Sequence, residues 1–590
     1  DIVYFNSREG YLKKIFPLSE WVVTSGKINY FRNKYQITNP EYVTSIDKID
    51  YVAKNVPKYK LTKGINEKKY RSISEQVIKN LPIIKDWLNE DFLKSNNLGG
   101  WNESIQRLHN SDDSKNIKSK TLRRIIFDEI CANLLTLSTN RKRVKKNKDK
   151  KTFNNKNENN ILMKLPFELT NSQKKVLRQI NSDLSSDKRM FRLMQGDVGS
   201  GKTIVSLLSI ANVIESNYQT ALMSPTEILS YQHFNLAKEI FKETNIKIEF
   251  LTGKTDSKKR KKILKEIKEG RIDLLVGTHA LFQKKIDFKN LGYVVIDEQH
   301  KFGVKQRSDF AEKGGSNCDV LLMTATPIPR TLTMTIYGDM DISIIREKPK
   351  NRKPIKTYSK LEVKIEDVLK FIKKEINLGN QIFWVCPLIE ESKKLDHSSA
   401  VKKYEYLESK FPNQVCLLHG KTDVDEKNEI LNNFLNNKFK ILVSTTIIEV
   451  GIDFPNANTI IIENANKFGL SQLHQLRGRV GRGDKDSTCI LMFKSNLSEN
   501  AKKRIKILKD TNDGFLISEE DMKLRGFGDI LGFKQSGVKN FKLADPIQNS
   551  DLFLLAEKEM RRIEKSNEDI SKFKPLIKLY DRADIINDIA

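Results

Sequence analysis

The most constraining feature of the sequence is a glycine-rich loop that fits the phosphate-binding pattern G-x-x-x-x-G-K-[ST]. Glycines in such a loop let backbone N–H groups turn inward and surround a polyphosphate. Lys202 is then placed to reach the outer phosphates, and the hydroxyl of Thr203 is placed to ligate Mg²⁺. The whole loop consists of Gly196, Asp197, Val198, Gly199, Ser200, Gly201, Lys202 and Thr203.

An acid-tipped apolar run lies further along the chain, at residues 293–298. The run is continuously apolar up to Ile296, as a parallel strand buried on both faces requires. Asp297 can complete the Mg²⁺ shell, and Glu298 can orient or deprotonate an attacking water. The loop and the acid-tipped strand together predict that the chain binds and hydrolyses a nucleoside triphosphate.

The charge balance favours a polyanionic partner. The 590 residues include 104 lysines and arginines against 75 aspartates and glutamates, a net charge of +29. Such an excess indicates nucleic acid before other partners. An AT-rich coding sequence is the compositional alternative, but it accounts for lysine in place of arginine and not for the surplus over acids.

The cysteines and the apolar segments favour a reduced, cytoplasmic protein. Five cysteines are scattered, with no CxxC or Cys/His cluster, so neither a disulfide framework nor a zinc site is indicated. No apolar stretch has the length of a membrane span, and no signal peptide is present. Because the chain starts at Asp1 inside sequence with a structured pattern, we expect it to be truncated at the N-terminus.

The pattern of apolar runs divides the chain into five segments. Residues 1–60 contain strand-like runs and predict a small β unit. Residues 61–160 predict a helical connector, with a stripe at Leu122, Ile125, Ile126, Ile130, Leu134 and Leu137. Its basic end, 141–160, is interpreted as a solvated linker that could add non-specific affinity for a nucleic acid backbone.

Two further segments, 161–348 and 349–497, alternate short apolar runs with helical patterns, which is typical of a parallel sheet with helices on both faces. The charged stretch 346–356 is interpreted as a linker. Residues 498–590 predict helices around a glycine-rich insert at 525–537. The runs expected to form strands are 221–223, 274–276, 294–296, 320–323, 382–385, 415–418, 441–443 and 459–462.

An arginine-rich run at residues 475–482, Gln-Leu-Arg-Gly-Arg-Val-Gly-Arg, closes the second of these segments. It has two interpretations, a salt-bridged surface or a pair of arginine fingers, Arg479 and Arg482, that reach the γ-phosphate across a cleft. The second is more economical in a chain with a nucleotide site on its other α/β segment. Two lobes that close on a nucleotide and reopen after hydrolysis can convert chemistry into stepping.

The ordered series of motifs resembles superfamily 2 helicases. It comprises residues 167–173, the phosphate loop, 224–229, 277–279, 297–300, 324–327, 451–453 and 475–482. Within that group, the chain resembles the RecG family of branch-migration helicases over nearly its whole length. The segments that carry this narrower resemblance are 323–332, 384–391, 468–483, 513–515 and 524–537.

The resemblance implies a fold and an activity. The fold class would be α/β: two RecA-like parallel-sheet lobes, an N-terminal β wedge that is part of an oligonucleotide-binding (OB) fold, a helical connector and a C-terminal helical hairpin with a translocation motif. The activity would be that of a monomeric ATP- and Mg²⁺-dependent 3′–5′ translocase on double-stranded DNA. It would act at stalled forks and Holliday junctions in recombination and repair, with single-strand binding protein as a candidate partner.

The resemblance also implies roles for particular residues. Gln173 would read the adenine, Lys202 and Thr203 would hold the phosphates and Mg²⁺, Asp297 would hold the metal, and Glu298 would hold the water. The residues that would complete the site from the second lobe are Gly451, Asp453, Gln475, Arg479 and Arg482.

For four further motif residues, the sequence either leaves two alternatives or indicates no metal-binding role. Thr324 and Thr326 would couple the nucleotide site to DNA, with a plain role at a strand end as the alternative. His279 and His300 are motif members without metal ligands beside them.

Two groups of residues are expected to contact or respond to DNA. Phe31 and Tyr35 flank a basic turn and suit stacking on bases, although a hairpin with partly buried aromatics explains them equally well. In the tail, Arg504, Arg525 and Gln535 accompany a dense set of glycines. The resemblance implies a helical hairpin that links motion of the second lobe to a DNA-gripping loop, and an ordinary glycine-rich turn with solvated arginines is the alternative.

Two other classes of protein compete with this interpretation. The transcription–repair coupling factor shares the tail motif, but it would need a polymerase-binding module and a much longer N-terminal region. A DNA-binding protein with an inactive nucleotide fold is the non-enzymatic alternative. The intact Lys202, Asp297, Glu298 and Arg482 argue against it.

Overall fold

The computed structural model describes most of the chain, and the chain divides into two compact units, residues 1–129 and 130–590. No helix in the described part is long and apolar enough to cross a membrane. The described residues are 1–5, 7–31, 33–53, 57, 59, 61–62, 64–109, 119–145, 147–283, 286–298, 315, 317–329, 333, 340–349, 352–387, 393–419, 422, 424–445, 454–481, 485–525, 541–566 and 568–580.

The first unit contains two small sheets and short helices, which confirms the predicted β unit and helical connector. The sheets have the strand orders β1-β4-β3 and β2-β5. The strands are β1 Ile2–Val3, β2 Val22–Ser25, β3 Ile28–Phe31, β4 Lys34–Thr38 and β5 Tyr42–Ser45. The helices are α1 Glu9–Ile15, α2 Ile49–Ala53, α3 Glu67–Lys79, α4 Glu90–Ser95, α5 Trp101–His109 and α6 Lys120–Val144, which crosses the boundary between the units.

The first lobe of the second unit is built on a parallel sheet of seven strands in the order β12-β6-β11-β10-β7-β9-β8. The strands are β6 Phe191–Gly196, β7 Gln219–Met223, β8 Ile248–Leu251, β9 Leu274–Gly277, β10 Leu291–Ile296, β11 Asp319–Thr324 and β12 Asp341–Ile345. Apolar clusters cover both faces, as continuous apolar strands require. The helices are α7 Lys156–Lys164, α8 Asn171–Leu184, α9 Lys202–Glu215, α10 Glu227–Ile240 and α11 Ser257–Glu269.

The second lobe repeats this architecture on a parallel sheet of six strands in the order β13-β18-β17-β14-β16-β15. The strands are β13 Lys356–Leu361, β14 Gln381–Val385, β15 Val415–Leu418, β16 Ile441–Ser444, β17 Ala457–Ile462 and β18 Thr488–Phe493. The helices are α12 Ile365–Asn377, α13 Lys393–Lys410, α14 Val424–Leu435 and α15 Leu470–Arg477. The two predicted parallel-sheet lobes are therefore confirmed.

Helices follow the second lobe, as predicted. They are α16 Glu499–Asp510, α17 Gly514–Arg525, α18 Ser550–Lys565 and α19 Lys574–Leu579. Most of the glycine-rich insert, with Gln535, lies outside the described residues.

The interpretation of residues 141–160 as a solvated linker is wrong. Lys148 and Lys151 are buried, and their ammonium groups lie 2.7 and 2.6 Å from the same carboxylate oxygen of Asp319. Helix α7 then begins at Lys156 and packs on the first lobe. The basic composition was misleading because a buried aspartate on β11 pairs with both lysines inside the fold.

Candidate nucleotide site

The phosphate loop connects the end of strand β6 to the start of helix α9, as the motif predicts. Gly199 and Gly201 have φ values of +74° and +82°, a backbone conformation that favours glycine. Gly199 is also constrained by space, because an added Cβ there would lie 1.1 Å from Nη1 of Arg352. The loop glycines therefore serve both the turn and the close approach of another side chain.

Lys202 points into this loop. Its ammonium is buried and donates to the backbone carbonyls of Gly196 at 2.8 Å and Asp197 at 3.1 Å. Burial lowers the pKa of Lys202, and the nearby carboxylates of Glu298 and Asp297 oppose that shift. The ammonium of Lys202, the predicted phosphate ligand, is thus bonded to two loop carbonyls, and a bound triphosphate would have to replace them as its partners.

Gln173 is attached to the same loop. It sits in the first turn of helix α8 in a capping box, where its amide oxygen accepts the backbone N–H of Thr170 at 2.8 Å. Its Nε2 donates to the carbonyl of Ser200 at 2.8 Å. The structure therefore shows Gln173 positioning the phosphate loop, and its contact with adenine stays a prediction.

The two acids follow strand β10 and face Lys202. Asp297 accepts a hydrogen bond from the backbone N–H of Glu298, and its Oδ2 lies 2.9 Å from Nε2 of His233. Burial would raise the pKa of Asp297, but His233 and Lys202 hold that pKa below its usual range. Asp297 is therefore ionised at neutral pH.

Glu298 differs from its neighbour. Its φ is +52°, an uncommon conformation for a residue with a side chain. Burial, followed by the charge of Asp297, raises the pKa of Glu298, while Lys202, Arg479 and the backbone N–H of Ala325 lower it. Two carboxylates with opposite shifts suit two roles, a charged metal ligand and a group that handles a proton.

The residues present fit Mg²⁺. A hard cation of this kind takes oxygen ligands, and Mg²⁺ is usually held by one or two carboxylates together with substrate phosphates. The hydroxyl of Thr203 and the ionised carboxylate of Asp297 supply that donor set. No group of three or more His, Cys, Asp or Glu residues that could hold a metal occurs in the described part of the chain, so a metal here would depend on the phosphates as well.

The second lobe reaches this site through its arginine motif. Arg479 is 7% exposed and its charge lowers the pKa of Glu298, so it faces that acid from the other lobe. An added Cβ at Gly478 would lie 2.9 Å from the Cβ of Val198. The alternative of a salt-bridged surface is wrong for Arg479 and for Arg477, which is 1% exposed. Gln475 is half-buried on α15, whereas Arg482, Gly451 and Asp453 lie outside the described residues.

Sequence reasoning missed four residues of the site. Arg352, from the stretch interpreted as a linker, donates to the carbonyls of Val198 at 2.7 Å and Gly478 at 3.1 Å and so bridges the lobes. Lys348 and His474 contact Asp197, at 2.5 and 2.6 Å. The fourth residue is His233, which contacts Asp297. The sequence offered only the general cue of basic residues near prolines at 346–356.

Thr324 and Thr326 lie where strand β11 ends. Their hydroxyls hydrogen-bond to each other at 2.8 Å, and the intervening Ala325 donates its backbone N–H to Glu298. The strand end thus contacts Glu298, and a coupling role stays a prediction. His279 is exposed and His300 lies outside the described residues. The five cysteines are buried thiols.

The two arginines in the tail are linked to helix α15 or to the loop before it, one directly and one through Asp521. Arg504 donates to the carbonyl of Phe468 at 2.6 Å. Arg525 donates to Asp521 at 3.0 Å, and the other oxygen of Asp521 accepts the Ser471 hydroxyl at 2.6 Å. Arg504 is half-buried and bonded to the loop before α15, whereas Arg525 is 43% exposed, and a role in coupling stays a prediction for both.

Phe31 and Tyr35 lie on the hairpin of β3 and β4 and are 57% and 70% exposed. Tyr30 packs against Tyr35 with ring centroids 5.0 Å apart. The exposure suits stacking on bases and the Tyr30–Tyr35 contact suits a role in the hairpin, so stacking stays a prediction.

The fold and the site define a superfamily 2 ATP-dependent helicase. Residues 170–335 match the DEAD/DEAH box helicase family, and residues 363–484 match the helicase conserved C-terminal domain. Residues 511–579 match a narrower family, the C-terminal part of domain 3 of the ATP-dependent DNA helicase RecG.

Relatives along most of the chain identify the branch of that class. The ATP-dependent DNA helicases RecG of Bacillus subtilis and Aquifex aeolicus are 42% and 41% identical, over 91% and 96% of this chain and 79% and 74% of theirs. A solved structure of RecG bound to a three-way DNA junction is 36% identical with a TM-score of 0.64, over 94% of this chain and 73% of that one. The chain belongs to the RecG family of ATP-dependent DNA helicases.

Proposed function

We propose that this chain couples Mg²⁺-dependent ATP hydrolysis to movement along double-stranded DNA, and so remodels stalled forks and branch-migrates Holliday junctions in recombination and repair. The observation that carries the proposal is the convergence of both lobes on one acid pair. Lys202 approaches Glu298 from the first lobe and Arg479 approaches it from the second. Closure of the lobes would therefore complete the catalytic site.

The proposed roles follow from these positions and from the family. Lys202 binds the outer phosphates and Glu298 orients the attacking water. Thr203 and Asp297 would hold Mg²⁺, which neutralises charge on the phosphates when bound. Other proposed nucleotide contacts are Gln173, Gly451, Asp453, Gln475, Arg479 and Arg482.

Branched DNA is the proposed partner. Support comes from the net charge of +29 and from the related RecG structure with a three-way DNA junction. We further propose a monomer that works in the cytoplasm, with single-strand binding protein as a candidate partner. Sedimentation of the protein with and without a model fork tests the monomer, because a dimer would double the sedimenting mass.

Phe31 and Tyr35 are proposed to stack on bases at the branch point. If so, Phe31→Ala or Tyr35→Ala should weaken the preference for a fork over a linear duplex by about 1–3 kcal/mol. Fluorescence titrations with both DNAs measure this preference. An unchanged preference with a lower thermal midpoint would assign the two rings to hairpin stability instead.

The proposed domain boundaries also await a test. They are 1–60 for the wedge, 61–160 for the connector, 161–348 and 349–497 for the lobes, and 498–590 for the translocation region. Limited proteolysis should cut between these segments, except within 141–160, where the buried lysines and helix α7 protect the chain.

The catalytic assignment is tested with single substitutions in a DNA-stimulated ATPase assay. Lys202→Ala and Glu298→Gln should abolish turnover while binding to a model fork survives, because the DNA contacts lie on other residues. Loss of an arginine finger should lower kcat by about 10³–10⁵-fold, and Arg479→Ala and Arg482→Ala decide which arginine it is. Arg561→Ala is the control, since this exposed arginine pairs only with helical neighbours in the described structure. Near-normal turnover in both finger variants would refute the role of the second lobe.

A further inference from the structure

The turn between helices α16 and α17 lies directly against the phosphate loop. An added Cβ at Gly514, the first residue of α17, would lie 2.7 Å from both Asp197 Oδ1 and His474 Nε2. Lys348 joins the same two segments, because its ammonium lies 2.5 Å from Asp197 Oδ2 and donates to the carbonyl of Asn512 at 3.2 Å. The loop expected to bind ATP therefore contacts the helices that carry Arg504 and Arg525.

His474 connects the loop to this turn through both of its ring nitrogens. Nε2 lies 2.6 Å from Asp197 Oδ1, and Nδ1 lies 2.9 Å from Nη2 of Arg477. Arg477 in turn donates to the carbonyls of Leu508 and Thr511, at 2.6 and 2.9 Å. These carbonyls belong to the last turn of α16 and to the residue that follows it.

The direction of these hydrogen bonds follows from the chemistry of arginine. A guanidinium has donors and no acceptor, so Nδ1 of His474 must accept from Arg477. Nε2 then carries the ring proton and donates to Asp197. A protonated imidazole would place two donors face to face, so the relay requires neutral His474, and burial lowers the pKa of His474 accordingly.

The relay ties the conformation of the loop to the position of the turn. Asp197 also accepts the backbone N–H of Val198 at 2.7 Å, so its carboxylate is part of the folded loop. Asp197, His474 and Arg477 are all buried. A buried charged group that loses its hydrogen-bonding partner is costly, so a movement of the loop must either carry the turn with it or break this chain of bonds at high cost.

We propose that His474 is a positioning residue that transmits the nucleotide state of the phosphate loop, through Asp197 and Arg477, to the turn between helices α16 and α17. The proposal rests on the proposed function, because it assumes that ATP occupies the loop. It assigns to a residue outside the nucleotide contacts the task of linking hydrolysis to the helical pair.

Hydrogen–deuterium exchange of the wild-type chain tests the link directly. A non-hydrolysable ATP analogue should slow amide exchange in the phosphate loop and should also change exchange at residues 508–517. If the analogue changes exchange in neither segment, the proposed function itself fails. If it changes the loop but not residues 508–517, the relay is overturned while the nucleotide site stands.

Substitutions at His474 separate transmission from simple packing. His474→Gln keeps a donor and an acceptor on one side chain, whereas His474→Leu fills the space with neither. We expect His474→Leu to lose the exchange response at 508–517 and to separate about ten-fold fewer base pairs per ATP, a typical size for coupling between sites. His474→Gln should restore most of both, and equal losses in the two variants would overturn the proposal.

Two further variants keep the test decisive if His474→Leu does not fold. Lys348→Ala removes the parallel contact with Asp197 and Asn512 and should weaken the same exchange response. Lys509→Ala, an exposed lysine on α16, is the control and should change nothing. A normal response in both Lys348→Ala and His474→Ala, which removes both ring nitrogens, would overturn the relay.

Discussion

At the scale of residues, the sequence motifs predicted the charged side chains expected at the phosphates and Mg²⁺. They did not predict the residues that hold those side chains in place. Lys202, Asp297 and Glu298 were predicted because the motif sets their spacing and the strand before the acids is unmistakably apolar. His233 and His474 contact Asp297 and Asp197 through tertiary packing, at sequence separations of 64 and 277 residues. No local pattern encodes such pairs, so the structure was needed to find them.

Buried charge also shapes the connector helix α6, where Asp128 provides a test of pH dependence. Burial raises the pKa of Asp128 to about 6, although Arg124 and Trp87 donate hydrogen bonds to it. Asp86 pairs with the same arginine. Burial would raise the pKa of Asp86, but the hydrogen bonds and charge of Arg124 lower it. Because Asp86 already balances the charge of Arg124, ionised Asp128 gains less from pairing with this arginine than its burial costs.

We predict that Asp128→Asn flattens the pH dependence of stability between pH 4 and pH 6.5. In the wild type the folded state holds the proton of Asp128 more tightly than the unfolded state, so its contribution to the free energy of unfolding falls as pH rises through this window. The asparagine keeps an acceptor for Trp87 and Arg124 and should be more stable at pH 7.5, on the order of 2 kcal/mol. Thermal melts of both proteins across the window measure this. A lower midpoint for the variant at every pH would contradict it.

At the scale of elements, the strands predicted in the two lobes contain uninterrupted apolar runs, whereas β6, β8, β12 and β13 contain charged residues and were missed. β18 was missed although residues 489–493 form such a run. β10 and β14 carry no charge and were found. β6 was missed because it contains Arg192, whose guanidinium pairs with Asp183 in the fold. β13 was missed because an edge strand alternates exposed and half-buried residues, and its composition resembles that of a linker.

The cluster of Asp319 with two lysines fixes the chain after helix α6 to strand β11. We predict that Asp319→Asn destabilises the second unit by about 3–5 kcal/mol, because it leaves two buried ammonium groups without their counter-charge. Lys151→Met should cost less, since Lys148 still neutralises the aspartate. Denaturant titrations compare both with Lys150→Ala, an exposed control. Equal stability of Asp319→Asn and the control would show that the lysines are solvated after all.

The C-terminal helices α16 and α17 are expected to transmit force. We predict that Arg504→Ala and Arg525→Ala leave ATP binding intact and reduce unwinding far more than DNA-stimulated hydrolysis, because Arg504 binds the loop before helix α15 and Arg525 pairs with Asp521, which binds that helix. Gln535→Ala is expected to behave alike on the basis of the family resemblance. The measured quantity is base pairs separated per ATP on a model fork. An unchanged ratio in all three variants would remove this segment from the transmission.

At the scale of the whole molecule, the second unit contains two sheets whose lobes meet at the phosphate loop. Arg352 bridges Val198 and Gly478, and His474 reaches Asp197 from the second lobe. The stretch that the sequence presented as a linker thus belongs to the site. These contacts connect the nucleotide site directly to the relative position of the two lobes. The basic charge of the chain favours binding to a polyanion, along which such a movement could proceed.

The most direct test of this account compares ATP hydrolysis by the full chain with a model fork, a linear duplex and a single strand at equal nucleotide concentration. We predict that the fork and the duplex stimulate hydrolysis several-fold more than the single strand, and that stimulation falls steeply with salt as phosphate contacts are screened. Lys202→Ala, assayed in parallel, should show none. Hydrolysis that no DNA stimulates, or that only the single strand stimulates, would contradict a translocase on double-stranded DNA.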